Sequence, residues 1–268
     1  MPGTGGRRSA AGRGVRLRDV EFGYGRHAEP VIRGLSIDIA PGDHLAIVGP
    51  SGIGKSSLAG LLAGMLRPTA GVVLLDGRPT TRHPQASLPG LRVLIPQEAY
   101  VFGGTLAENI GYLRAQDGPP SGAELDAAAE AVGLSPLVSR LGGYDAAVNP
   151  AALSAGERQL IALTRAYLSP APIVILDEAT CHLDPAAEER AEAAFAGRPG
   201  TLIVIAHRIT SALRARRVLV LDGNRAQAGD HACLLASSAM YSDLVGYWSV
   251  TPGSAAVPAG RERVAAGD

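Results

Sequence analysis

The stretch GPSGIGKSS, residues 49–57, restricts the possible folds of this chain more than any other segment. It fits the pattern G-x-x-x-x-G-K-[ST]. It lies between HLAIVG, a continuous apolar run of the kind found in buried parallel strands, and a helical pattern expected over Lys55 to Leu66, with Pro68 beyond its end. Strand, glycine loop and helix in that order form the context in which this pattern cradles phosphate. Gly49, Gly52 and Gly54 allow positive φ and a close approach of the backbone to phosphate oxygens. The whole run Gly49, Pro50, Ser51, Gly52, Ile53, Gly54, Lys55, Ser56 and Ser57 is expected to wrap an anion at a helix N-terminus, where the peptide dipoles add positive potential.

Lysine and arginine together number 25, and Lys55 is the one lysine. A composition rich in Ala, Gly, Pro and Arg has the look of a coding bias, and the bias gives way at this position. A compact ammonium on a slim stem fits inside a phosphate loop, whereas a planar guanidinium fork is bulkier and geometrically demanding. Ser56 then offers a hydroxyl to Mg²⁺. The run IVILDE supplies the carboxylate such a metal needs: four apolar residues and then Asp177, at the carboxyl end of a buried strand, where open α/β sheets bind ligands. Glu178, one residue on, is placed to polarise a water that attacks a γ-phosphate.

The chain has 268 residues, enough for one sizeable domain or two small lobes. Its formal net charge of zero argues against nucleic-acid binding through a basic field. A transmembrane helix needs roughly 20 apolar residues, and the best candidate, LAGLLAGMLRPTAGVVLL, is broken by Arg67 and Pro68. Residues 1–14 are rich in Gly, Arg and Ser without an apolar run; they read as a disordered tail and not as a signal peptide. Residues 249–268 are low in complexity and read the same way. Cys181 and Cys233 show neither disulfide nor metal spacing, and Cys181 beside His182 has no further ligand cluster near it in sequence; a reducing, cytosolic compartment is expected.

Residues 15–98 read as short strands and turns around the glycine loop. Residues 99–168 turn helical, with GAELDAAAEAVG and GERQLIALTRAYL as the clearest periods. Strands return over 169–248 in PIVILDEAT, TLIVIAHR and RVLVLDG, separated by the helical DPAAEERAEAAFAG. The expectation is an α/β fold with a mostly parallel sheet and one helical insertion, without internal repeats or a coiled coil.

LSAGERQ, at Leu153–Gln159, opens a helix about twenty residues before Asp177–Glu178 and resembles the LSGGQ signature of ATP-binding cassette (ABC) proteins. The resemblance covers roughly residues 15–248. It implies a P-loop NTPase fold: a RecA-like core (15–98 and 169–248), an antiparallel β subdomain and an inserted helical subdomain (99–168). On that resemblance Tyr24 stacks on adenine, and Gln97 senses the γ-phosphate side, ligates the metal and faces the membrane partner. Ser154, Gly156 and Glu157 bind the partner cassette's nucleotide, Asp184 stands in the loop that crosses the dimer interface, and His207 is the switch histidine on the γ-phosphate. PQEAYVFGGTLAENI is similar to the exporter form Q-x-x-x-x-F-x-G-T-x-x-E-N-I, and the C-terminal GDHACLLASSAMYSDLV resembles exporter cassettes as well.

The resemblance thus implies an ATPase using ATP and Mg²⁺, closing head to tail with a second cassette and working on a transmembrane domain at the cytoplasmic face of the membrane. Three features depart from the pattern. Ala155 replaces a usual glycine and Glu157 a usual glutamine, which implies weaker nucleotide sandwiching. VNPAALSAGE is shorter than the usual segment before the signature and lacks its glutamate, which puts the usual coupling contact in doubt. Two other readings stand beside the main one. A catalytically weak regulatory cassette is favoured by the odd signature and opposed by Glu178 and His207. A soluble ABC ATPase of translation or DNA repair is opposed by the single cassette and by the 99 positions from Lys55 to Ser154, too few for a long coiled coil.

Overall fold

The computed structural model describes residues 14–250 apart from 26–27, 115–117, 207 and 224, and describes only the backbone of 248–250. The tails expected over 1–14 and 249–268 therefore lie almost wholly outside the described residues. In chain order the elements begin with strands β1 (Val15–Phe22), β2 (Ile32–Ile39) and β3 (His44–Val48), helix α1 (Lys55–Leu62), and strands β4 (Ala70–Leu75), β5 (Arg78–Pro79) and β6 (Arg92–Ile95). The helical insertion follows as β7 (Gly104–Thr105), α2 (Leu106–Gly111), α3 (Gly122–Val132), α4 (Ser135–Leu141), β8 (Ala147–Val148) and α5 (Ala155–Leu168). The chain then returns through β9 (Ile173–Asp177), α6 (Pro185–Gly197), β10 (Thr201–Ile205), α7 (Ile209–Arg214), β11 (Arg217–Asp222), β12 (Arg225–Gly229), α8 (His231–Ser237) and α9 (Ala239–Val250).

Two sheets organise these elements. One is antiparallel, in the order β2-β1-β4-β5; the other runs β12-β11-β3-β10-β9-β6, parallel throughout except for its edge strand β12. The central strands are apolar on both faces because both faces are covered. In β3, Leu45 and Ile47 join α1 and the antiparallel sheet in one core, while Ala46 and Val48 point the other way toward α7–α9. In β9, Ile173 and Ile175 face the first core, and Val174 and Leu176 pack with α5 and α6. This alternation inside a continuously hydrophobic run holds the carboxyl ends of β3 and β9 at one edge of the sheet. The turns that follow β3 and β9 leave from that edge, where ligands bind in open α/β sheets.

The helical insertion has its own small core, which includes Leu106, Ile110, Leu125, Leu134, Leu137 and Ile161. Three of its helices start with the same device. Thr105 and Glu108, Ser121 and Glu124, and Ser154 and Glu157 each form a capping box, the hydroxyl accepting from the third amide and the carboxylate from the cap's own N–H. The two-residue pair β7–β8 closes the base of the lobe.

Helix α1 is shorter than its sequence period. It stops at Leu62 and not Leu66, because Gly64 turns left-handed at φ 67 and the N–H groups of Met65 and Leu66 both fold back on the carbonyl of Gly60. At the C-terminus, α9 continues to Val250, two residues past the boundary drawn from composition.

Candidate active site

The turn between β3 and α1 is shaped by its glycines: Gly52 and Gly54 take φ of 78 and 103. Gly54 caps α1 without a side-chain hydrogen bond, and no acidic residue stands in the first turn. The start of β2 backs the loop so closely that a Cβ on Gly54 would meet Val31 Cγ1 at 2.5 Å. Lys55 is buried, and its Nζ donates to the carbonyls of Gly49 (2.9 Å) and Pro50 (3.0 Å), so the ammonium lies across the loop mouth. Burial pulls the lysine pKa down, and the charges of Glu178 and Asp177 oppose that shift.

Asp177 ends β9 and is also buried. Ser56 donates from Oγ to Asp177 Oδ1 at 3.0 Å, a contact that joins residues 121 positions apart. Burial raises the Asp177 pKa; the Ser56 hydrogen bond works against this, and Glu178 adds to it. A carboxylate held at such a cost calls for a cation. Its oxygen and the hydroxyl are hard donors that suit Mg²⁺ sharing its other positions with water and phosphate. Among the described residues no group of three or more His, Cys, Asp or Glu could hold a metal by itself. Glu178 follows with φ 50, a left-handed conformation rare outside glycine and a form of backbone strain that gathers at functional turns.

Tyr24 lies just past β1. Its hydroxyl is 2.8 Å from Ser57 Oγ, its ring packs edge-on against Phe22 at 4.9 Å, and 70% of the residue is exposed. It thus stands beside the glycine loop with a free ring face. Gln97 is exposed on the turn that leaves β6. Ile95 pairs with Leu176, so that turn runs level with Asp177 and Glu178 on the neighbouring strand. Lys55, Ser56, Asp177, Glu178, Tyr24 and Gln97 therefore share one edge of the sheet. His207 lies outside the described residues, two positions past Ile205, which pairs with Asp177. Its neighbour Arg208 forms an ion pair with the buried Glu188 of α6 at 2.5 Å.

The signature residues are elsewhere. Among the described residues no hydrogen bond or ion pair joins 154–157 to the glycine loop of the same chain. Ser154 is exposed; its Oγ accepts from the amide of Glu157, and its own N–H reaches Glu157 Oε2 at 2.9 Å. Glu157 replaces the usual glutamine at no cost to this geometry, because a capping box accepts either residue and an anion is favoured in a first helical turn. The bond from the Ser154 backbone, and then the Ser154 side chain and Arg140, hold its carboxyl below the usual range. Asp184 caps α6, accepting from the amides of Ala186 and Ala187 at 3.0 Å each.

Sequence reasoning passed over several buried polar groups around these turns. Asn109 donates to the carbonyls of Phe102 and Thr105 and accepts from the amide of Phe102. Arg165 reaches the carbonyls of Asn109 (2.7 Å) and Tyr100 (3.0 Å) beneath the rings of Phe102 and Tyr112. Together they fix the segment that follows Gln97. Gln159 is buried between the same segment and the 181–182 turn. The available signal was a polar residue inside the apolar stripe of an amphipathic helix.

The family model described as ABC transporter matches residues 32–181. An ABC transporter ATP-binding protein, RamB, of Streptomyces coelicolor is 62% identical over 241 residues, covering 90% of this chain and 39% of the relative. An ATP-dependent lipid A-core flippase of Burkholderia orbicola is 38% identical over 252 residues, covering 91% of this chain and 42% of the relative. Among solved structures, a bacterial Atm1-family ABC exporter with ATP bound superposes with a TM-score of 0.81 at 35% identity, over 88% of this chain and 42% of that one. The chain thus spans about two fifths of the length of these relatives. No helix among the described residues is long and apolar enough to cross a membrane. The chain belongs to the ABC transporter family.

Proposed function

We propose that this chain is the ATP-hydrolysing cassette of an exporter, working at the cytoplasmic face of the membrane with a transmembrane domain and a second cassette. The observation that carries this reading is the 3.0 Å contact of Ser56 with Asp177 at the mouth of the lysine-bearing loop, with Glu178 next in the chain. The amides from Gly49 to Ser57 and the ammonium of Lys55 bind the triphosphate, and Tyr24 offers a ring face to the base. Ser56, Asp177 and, on the neighbouring turn, Gln97 would hold Mg²⁺, which when bound neutralises charge on the phosphate oxygens. Glu178 accepts a hydrogen bond from the attacking water and takes its proton, and His207 contacts the γ-phosphate.

The exposure of Ser154, and its separation from the glycine loop of its own chain, support a head-to-tail dimer in which Ser154, Gly156 and Glu157 meet the nucleotide of the partner and Asp184 lies at the interface. The names of the relatives, a lipid A-core flippase and an Atm1-family exporter, support export as the direction of transport. In the mechanism, closure around two ATP does work on the membrane domain, and hydrolysis at Glu178 reopens the pair.

Glu178→Gln tests this reading. The amide keeps the size of the side chain and its hydrogen bond to water, but it is a far poorer base. ATP should bind with unchanged affinity, turnover should fall by at least about 100-fold, and size-exclusion chromatography with Mg·ATP should show a dimer that Ser154→Arg abolishes. Full turnover by the variant refutes the base assignment. Nucleotide trapping without a dimer refutes self-pairing through the signature.

A further inference from the structure

Gln159 has no exposed surface. It lies on α5 in one stripe with Ala162, Leu163 and Ala166, all buried, on the helix that Ser154 caps. Its amide makes three hydrogen bonds: Oε1 accepts from the backbone N–H of His182 at 2.9 Å, and Nε2 donates to the carbonyl of Gln97 and to Cys181 Sγ, each at 3.2 Å. The His182 N–H needs an acceptor and the Gln97 carbonyl a donor, so a single orientation of the amide satisfies both.

These partners stand on two separate turns. Gln97 is on the turn leaving β6; Cys181 and His182 are on the turn between Glu178 and Asp184. One side chain thus ties the helix of the signature to both. A second contact reinforces the link to the later turn: a Cβ on Gly156 would lie 3.0 Å from the carbonyl of His182, so the first turn of α5 rests directly on it. The bonds to Gln97 and His182 are made to backbone and therefore hold the turns themselves, whatever their side chains contact.

We propose that Gln159 is a positioning residue for ATP hydrolysis. It fixes the Gln97 turn and the 181–184 turn to the signature helix, so that all three shift as one body when the cassette closes. This rests on the function proposed above. Loss of the tie leaves the glycine loop and Tyr24 in place but lets the two turns move independently, which costs turnover and not nucleotide binding.

The test compares Gln159→Met and Gln159→Glu in the full 268-residue chain. Met removes all three bonds. Glu keeps the size of the side chain and an oxygen that accepts from His182, but replaces the Nε2 donor. For Met, ATP affinity by calorimetry should stay within about twofold and kcat should fall about tenfold or more with little change in KM. For Glu, kcat should fall less than for Met, because the acceptor for the His182 N–H remains. Hydrogen exchange should speed up together at residues 97–99 and 181–184 in the Met variant, with 49–57 unaffected.

A Met variant within about twofold of normal kcat overturns the proposal, as does a Glu variant no more active than the Met variant. Failure of either variant to fold overturns it too, since Gln159 is then a stability residue first. If the unsubstituted chain shows no turnover, the proposed function falls and the exchange measurement alone decides Gln159. Coincident loss of protection in both turns supports the tie, and loss in one alone refutes it.

Discussion

The N-terminus of α1 and that of α5 differ in what satisfies their free N–H groups. At α1 the cap is Gly54, with no side-chain acceptor and no acid in the first turn; the buried ammonium of Lys55 lies in that turn, and Asp177 reaches it from β9 through Ser56. At α5 the chain supplies its own acceptors: Ser154 and Glu157 bond each other's amides, and Arg140 pairs with Glu157 from outside. The first terminus is held open by backbone conformation and has no side-chain acceptor of its own. The second is already complete, so a phosphate there competes with internal bonds. On the function proposed above, the first is a phosphate site within a single chain, and the second contributes to one only when another molecule presents a phosphate to it.

The largest effect that would break this contrast lies at Lys55. Lys55→Arg keeps the charge and loses the fit between the carbonyls of Gly49 and Pro50. Charge-assisted hydrogen bonds are worth about 1.5–3 kcal/mol, so ATP affinity measured by calorimetry should drop roughly tenfold to a hundredfold while the circular dichroism spectrum is unchanged. A dissociation constant equal to that of the unsubstituted chain would mean that the open end does not depend on a compact cation.

A smaller effect separates the two glycines. Gly54→Ala forces a side chain into φ 103 against Val31 and should cost about 1–3 kcal/mol in urea unfolding. Gly156→Ala sits in ordinary helical conformation, where alanine gains up to about 1 kcal/mol of propensity against crowding at the His182 carbonyl. Its net change should stay below about 1 kcal/mol in either direction. Equal costs would erase the distinction between a strained, open terminus and a relaxed, closed one.

Smallest is the effect at Arg140. More than half of its side chain is exposed, and exposed ion pairs contribute about 1 kcal/mol or less, so Arg140→Ala should lower stability by no more than that and by less in high salt. A loss above about 2 kcal/mol would show that α5 depends on Arg140 and is not complete on its own.

The glycine loop, both acids and the strands that carry them are legible in the sequence because each depends on a short local pattern: an apolar run, a turn, a helix start. The three capping boxes are legible in the same way, as TLAE, SGAE and SAGE, although only the last drew notice and then as a departure from a signature. The end of α1 was misjudged by period alone, since Leu66 continues the apolar stripe while Gly64 turns the backbone out of the helix. The partners of Asn109, Arg165 and Gln159 are not legible: a polar residue inside an apolar helical stripe signals burial but not what it bonds. Gln159 and Arg165 bond backbone groups up to 65 positions away, and even the local bonds of Asn109 to Phe102 and Thr105 leave no one-dimensional pattern that names their partners.

The order of strands in the main sheet also bears on how the chain is made. The strand that launches the glycine loop, β3, is flanked by β10 and β11, and both lie about 150 residues or more further along the chain. At a synthesis rate of about 5–20 residues per second, that strand waits on the order of ten seconds for its first neighbour. Meanwhile the helical insertion, whose core lies between Val101 and Leu168, is finished and free to collapse. The phosphate site is therefore among the last features to form, and until then an apolar strand is left with both edges unpaired, a state that favours aggregation.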